Sequence, residues 1–212
     1  MIDGDLELRI AWERHVGRSA VAGTWYASVI SRHREQHRSY HDLRHVRWVV
    51  RHIGELAHGR ELDDLGATIA AGFFHDAIYD PAASENEAAS AALAEVALGD
   101  LEWEPERVEF CTAMIIGTAE HRWETATSID AAVLYAADLG VLAAPPAGYS
   151  DYVRNVRREY VHVNDVDWVT GRSAVVRSFL DRDAIFAPVL GLSEWELRAR
   201  GNLAAELDSL AG

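Results

Sequence analysis

The sequence predicts an all-α fold, a single helical bundle over residues 1–212, and three observations lead there. Apolar residues recur at spacings of three and four along most of the chain, the period of a helix with one buried face. No stretch alternates apolar and polar residues as a half-buried strand would, and no hairpin turn pair occurs. Helix starts and stops, such as Asp80-Pro81 and Ser84-Glu85-Asn86-Glu87, punctuate the chain at helix-length intervals.

Taken in order, Leu6 to Trp12 and Ser19 to Ile30 read as one long helix or two broken ones, with Gly17 and Gly23 as weak points. Ser39 and Asp42 resemble a capping box opening the next helix, where Val46, Val49, Val50, Ile53 and Leu56 form the core stripe. His41 and His45, four apart, are expected on one face beside that stripe. A central helix is expected from Leu62 to Tyr79, stopped by Asp80-Pro81. Ser84 to Glu87 reads as a capping box for a helix reaching Leu98. Further helices are expected over Pro105–Glu120, Ile129–Leu142, Tyr149–Val163, Arg172–Phe186 and Ser193–Leu210, with a loop at Pro145-Pro146 and Gly148.

Composition narrows the function. The 20 basic and 34 acidic residues give a net charge of −14, which disfavours general binding to nucleic acid or to an anionic membrane surface. Every basic residue is Arg, so Schiff-base lysine chemistry and a Walker-type phosphate loop are excluded. No apolar run approaches a membrane span. Met1 to Asp5 lacks a signal-peptide pattern, and the lone Cys111 sits in an apolar run as a buried, inert thiol; the expected location is the cytoplasm. Arg32, Arg34, Arg38, Arg44, Arg47 and Arg51 crowd one stretch. They read either as a site for a small anion such as a phosphate ester or as a solvated face paired to acids.

The chemistry concentrates where apolar helices are interrupted by polar donors. Ala70 to Tyr79 is apolar on nearly every side until His75 and Asp76, and Asp138 breaks the apolar run Ala132 to Leu142. Burying such a carboxylate without a partner costs several kcal/mol, roughly. Asp76 could pair with an Arg while His75 is a satisfied core histidine. Alternatively His45, His75, Asp76 and Asp138, from three helices, form the imidazole and carboxylate set of a mid-series divalent metal, leaving octahedral positions open for water and substrate.

The order of a distant His, then His-Asp, then a later Asp resembles the HD-domain superfamily of metal-dependent phosphohydrolases. It is closest to a bacterial subgroup described as predicted metal-dependent HD phosphohydrolases. The likeness rests on Arg38 to Val46, Phe73 to Pro81, Glu85 to Ala91, Thr118 to His121, Ala137 to Leu142, Arg157 to Tyr160 and Ala199 to Leu203, in that order along most of the chain. One departure is Ala136, where the pattern has an acid two residues before Asp138.

The resemblance implies an HD-domain-like helical bundle holding one divalent metal ion through His45, His75, Asp76 and Asp138. Mn, Mg, Fe, Zn, Ni and Co all suit, with Mn favoured. The implied activity is hydrolysis of a phosphoester or phosphoanhydride of a small phosphorylated substrate, a nucleotide or pyrophosphate. Arg38 and Arg44 are expected to clamp phosphate oxygens. Asp80 or Glu87 is expected to act as general base or to orient water, although Glu87 also fits a capping role. His41 and His121 are expected to contact substrate, His41 alternatively orienting His45. A homo-oligomer is compatible with the sequence. Two other readings are a metal- and nucleotide-binding sensor module without turnover, and an HD-type di-iron oxygenase with His41 and His121 at a second metal.

Overall fold

Ala67 to Phe74 are all buried, and with Leu65 and Gly66 they form the helix around which the others pack. The computed structural model describes residues 4–126 and 128–211, and among them the regular elements are helices, as expected. These are α1 (Gly4–His15), α2 (Ala20–Arg32), α3 (Leu43–Ala57), α4 (Leu65–Phe74), α5 (Asn86–Asp100), α6 (Pro105–Gly117), α7 (Ile129–Asp138), α8 (Pro146–Glu159), α9 (Asp165–Leu180) and α10 (Ser193–Ala211). Helix α7 runs on as a 3-10 turn, Leu139–Ala143. Helix α4 packs against α1, α3, α5, α6 and α7, while α10 lies across α9 and the 3-10 turn. The close approach of α3 and α4 needs Gly72: a Cβ there would stand 2.7 Å from Ile53 Cδ1. The stripe Val46, Val49, Val50, Ile53 and Leu56 is buried as expected. Burying each such side chain, and Phe73 and Phe74 opposite, stabilises by about 1.5–3 kcal/mol.

Several boundaries differ from expectation for identifiable reasons. The break between α1 and α2 falls at Gly17 to Ser19, where Ser19 caps the N–H of Ala22; Gly23 lies inside α2. Asp42, not Ser39, caps α3 by accepting from the N–H of Arg44, so His41 precedes the helix and does not share its face. The box at Ser84 to Glu87 does not form, because the side chain of Glu85, at the N-cap, makes no capping bond. Pro146 begins α8, as suits a residue without an N–H, and α9, capped by Asn164, starts at Asp165, seven residues before the expected Arg172.

The largest difference is the end of α4. The helix stops at Phe74, not Tyr79, because side chains from the α2–α3 connection take up its terminal carbonyls. His33 Nε2 donates to Phe73 O at 3.1 Å, Arg38 donates to Asp76 O at 2.7 Å and to Ala77 O at 3.3 Å, and His37 Nε2 donates to Tyr79 O at 2.9 Å. At its other end, buried Asp130 accepts from the N–H groups of Asp63 and Asp64 and from Thr68 Oγ1. Cys111 is buried, which pushes its thiol up and out of reactive range. No single helix among the described residues is long and apolar enough to cross a membrane.

Candidate metal centre and its cleft

Three helices deliver the donors to one point. His45 comes from the first turn of α3, His75 from the C-cap of α4, Asp76 from the following residue and Asp138 from the last position of α7. His45 Nε2 lies 3.1 Å from His75 Nε2 and 3.0 Å from Asp138 Oδ1. Asp76 Oδ2 lies 3.1 Å from His75 Nε2 and 3.4 Å from His45 Nε2. His45, His75 and Asp138 offer ligand atoms all within 4.8 Å of one another, the one such group among the described residues. Asp76 borders that group through its contacts with both imidazoles.

The donor chemistry fits a divalent cation. His75 Nδ1 donates to Gly72 O at 3.0 Å, so the neutral ring presents a lone pair on Nε2 to the cluster. That is the backbone-carbonyl support which orients metal-ligating histidines. His45 Nδ1 is buried and has no hydrogen-bond partner. Without a cation the cluster balances its own charge. Burial pushes the pKa of His45 down, but the Asp138 and Asp76 carboxylates outweigh it and hold it at about 9. His75 is raised in the same way, against burial. Burial pushes Asp138 and Asp76 up, yet the His75 charge, joined by His121 and His41 respectively, holds both well below the usual carboxylate range.

A cleft of about 650 Å³ opens over this cluster, lined by Asp76 and Asp138 and by His41, His121 and Glu87. His41 is held by Glu159, whose side chain is fully buried. Glu159 Oε2 accepts from His41 Nδ1 at 2.7 Å and from the Tyr79 hydroxyl at 2.9 Å. Its Oε1 accepts from the N–H groups of Ser39, Tyr40 and His41. With Nδ1 so engaged, Nε2 is the nitrogen that His41 has left for the cleft. Tyr40 follows in this segment, its ring 4.8 Å from that of His45. His121 adopts φ +48°, a left-handed backbone uncommon for a side-chain-bearing residue, and its Nε2 reaches Asp138 Oδ2 at 2.5 Å. Arg182 holds the same residue by donating to its carbonyl at 2.7 Å. His41 and His121 thus flank the cluster without gathering a second group of donors.

The expected phosphate clamps lie elsewhere. Arg38 is buried with its guanidinium spent on the His41, Asp76 and Ala77 carbonyls and on Glu35, and it does not line the cleft. Arg44 is exposed, paired to Asp42 and to Ser39 O, and also stands outside the cleft. The Arg-rich stretch is largely a face paired to acids, with Arg34 on Asp5 and Arg51 on Glu7. Asp80 is exposed and organises its own loop: Oδ1 accepts from the Ala82 N–H, and its backbone pairs with the Asn86 side chain. Of the two expected bases only Glu87 borders the cleft, released from any capping bond. Arg200 and Asn202, in the last segment of the family likeness, donate to the carbonyls of Leu180 and Arg182 and of Leu142 and Ala144.

Sequence reasoning missed Glu159 as the organiser of the His41 segment, and Arg172, Tyr152 and Trp168 as lining residues. Glu159 lies inside Arg157 to Tyr160, one of the segments that carry the family likeness, and has no other signal in the sequence. No family model, curated protein or solved structure matches the chain.

Proposed function

We propose that this chain is a metal-dependent phosphohydrolase of the HD type, acting on a phosphoester or phosphoanhydride of a small molecule. The observation that carries the reading is the meeting of His45, His75 and Asp138 beneath a cleft that Asp76 and Asp138 line, with Asp76 against both imidazoles. These four residues would hold one divalent cation, Mn favoured, and His121 would orient Asp138. Such a cation supplies Lewis acidity to a phosphoryl oxygen and lowers the pKa of water. The remaining work falls to the chain itself. His41, fixed by Glu159 through Nδ1, presents the Nε2 lone pair to the reacting group as a hydrogen-bond or proton acceptor, and Glu87 serves as the carboxylate that orients or deprotonates water. The order of donors along the chain, and its resemblance to HD phosphohydrolases, supports the same assignment.

The test is elemental analysis of protein purified without chelator, followed by a phosphate-release screen over small phosphate esters and anhydrides with several divalent ions. Roughly stoichiometric metal and metal-dependent release are expected. Metal without release from any compound would leave a binding module. Metal content unchanged in a His45→Ala, His75→Ala double variant would remove the centre itself.

A further inference from the structure

The cleft is poor in positive charge. Arg172 is the one guanidinium among its described lining residues, and it is already committed. Its Nε and Nη2 donate to Glu206 at 2.7 and 3.1 Å, and its Nη1 donates to the Tyr152 hydroxyl at 3.2 Å. Carboxylates are plentiful: Asp76 and Asp138 at the cluster, Glu87 beside it and Asp167 on α9. A divalent ion would offset the first two and leave Glu87 uncompensated. A polyphosphate brings several negative charges to such a cleft and finds no uncommitted guanidinium among its described lining residues.

The wall supplied by α8 and α9 has the opposite character. Trp168 and Tyr160 face one another with ring centroids 5.6 Å apart at 46°, and Val156, Val175 and Phe179 continue the surface. Arg157 fixes this wall. It donates to Tyr160 O at 2.6 Å and Val163 O at 3.0 Å, pairs with Asp165, and sits 5.2 Å from the Trp168 ring. Tyr152 extends the aromatic surface inward, packed edge-on against Tyr40 at 4.7 Å, and Tyr40 in turn touches His45. An aromatic surface set in place before binding offers a flat organic group apolar area at little ordering cost.

We infer that the cleft takes an organic phosphate carrying a single phosphoryl group and an aromatic or apolar body, and rejects pyrophosphate and polyphosphates. This rests on the hydrolase reading for the placement of the phosphoryl group. The body lies on the α8–α9 wall, where Trp168 is the specificity-determining residue.

The experiment uses the full chain loaded with Mn(II). Calorimetry compares phenylphosphonate, methylphosphonate and methylenediphosphonate, and phosphate release is followed from phenyl phosphate, methyl phosphate and pyrophosphate. Phenylphosphonate should bind about tenfold more tightly than methylphosphonate, the factor expected from burying most of one ring. Trp168→Ala should abolish that preference while leaving methylphosphonate affinity unchanged, and Trp168→Phe should restore most of it. Equal affinity for the phenyl and methyl compounds, tightest binding of methylenediphosphonate, or an unaltered preference in Trp168→Ala would overturn the inference. The expected order of affinities with no release from any ester would instead overturn the hydrolase reading. Faster release from pyrophosphate than from phenyl phosphate would keep the hydrolase and reject this substrate class.

Discussion

Glu159 reaches across 118 residues of sequence to fix His41, accepting from its Nδ1 at 2.7 Å. The same carboxylate gathers the N–H groups of Ser39, Tyr40 and His41, so one buried acid sets the backbone of a segment and the tautomer of its histidine together. Burial pushes its pKa up, but the hydrogen bond and charge of His41 and the backbone donors prevail and hold it at about 2.

That depression fixes the sign of a pH effect. Between its ordinary value of 4.5 and about 2, the unfolded chain binds a proton that the folded chain refuses. The stabilisation is therefore complete above 4.5 and lost as pH falls to about 2, roughly 3 kcal/mol in all. Glu159→Gln should lower stability at neutral pH by about that amount and converge on wild type in acid. Urea unfolding across pH measures both; a constant gap down to about pH 2 would contradict the assignment.

His33 gives the complementary case. Burial, then the charge of Arg38, holds its pKa at about 3 against an ordinary 6.5. The folded chain keeps the ring neutral while the unfolded chain protonates, so stability should fall by about 5 kcal/mol as pH drops from 6.5 towards 3. His33→Leu should be less stable at neutral pH, because the Phe73 carbonyl loses its donor, yet show a flatter acid limb. An unchanged limb in that variant would place the titration elsewhere.

Arg38→Ala should act on folding. Its guanidinium is buried on three carbonyls, and removing it leaves the end of α4 and the His41 segment without donors, a loss of about 3–5 kcal/mol. Arg44→Ala, at an exposed and locally paired position, should change stability by about 0.5 kcal/mol or less and leave phosphate release intact. Thermal unfolding of the two variants side by side distinguishes them; equal effects would refute the contrast.

Asp138→Asn keeps the size of the side chain and removes the charge that His45 and His121 contact. Adding Mn(II) at a hundred times its dissociation constant should stabilise wild type by about 2.7 kcal/mol, and the same concentration should barely shift the variant. Melting curves with and without the ion decide it. Equal shifts in both proteins would take Asp138 out of the ligand set.

Much of this was legible in the sequence because helical burial writes a periodic record. The α3 stripe, the all-apolar α4 and the two interrupting carboxylates could each be read locally, and His45, His75 and Asp138 lie together among the described residues. What was not legible depends on contacts between distant segments. Arg38 looks cationic and available in sequence, and only the packing of the α2–α3 connection against the end of α4 shows that carbonyls consume it. The early end of α4 has the same cause, since nothing between Leu62 and Tyr79 itself signals a stop at Phe74. Asp80 and Glu87 were equivalent as acids near a motif, and tertiary placement alone separates the loop-former from the cleft residue.

The cleft is divided between two lengths of chain. His45 to Asp138 carry the polar cluster on α3, α4 and α7, whereas Val156 to Phe179 supply the apolar wall on α8 and α9. Glu159 bridges them with a fully buried side chain that holds the His41 segment and accepts from the Tyr79 hydroxyl. Under the proposed hydrolase reading, exchange of the α8–α9 segment between related chains, with Glu159 and Arg157 retained, would retarget the molecule while the metal cluster stays as it was. On that reading, what the cleft admits and what it does to its occupant are carried by separate stretches of chain, and the wall around Trp168 can vary without touching His45, His75 or Asp138.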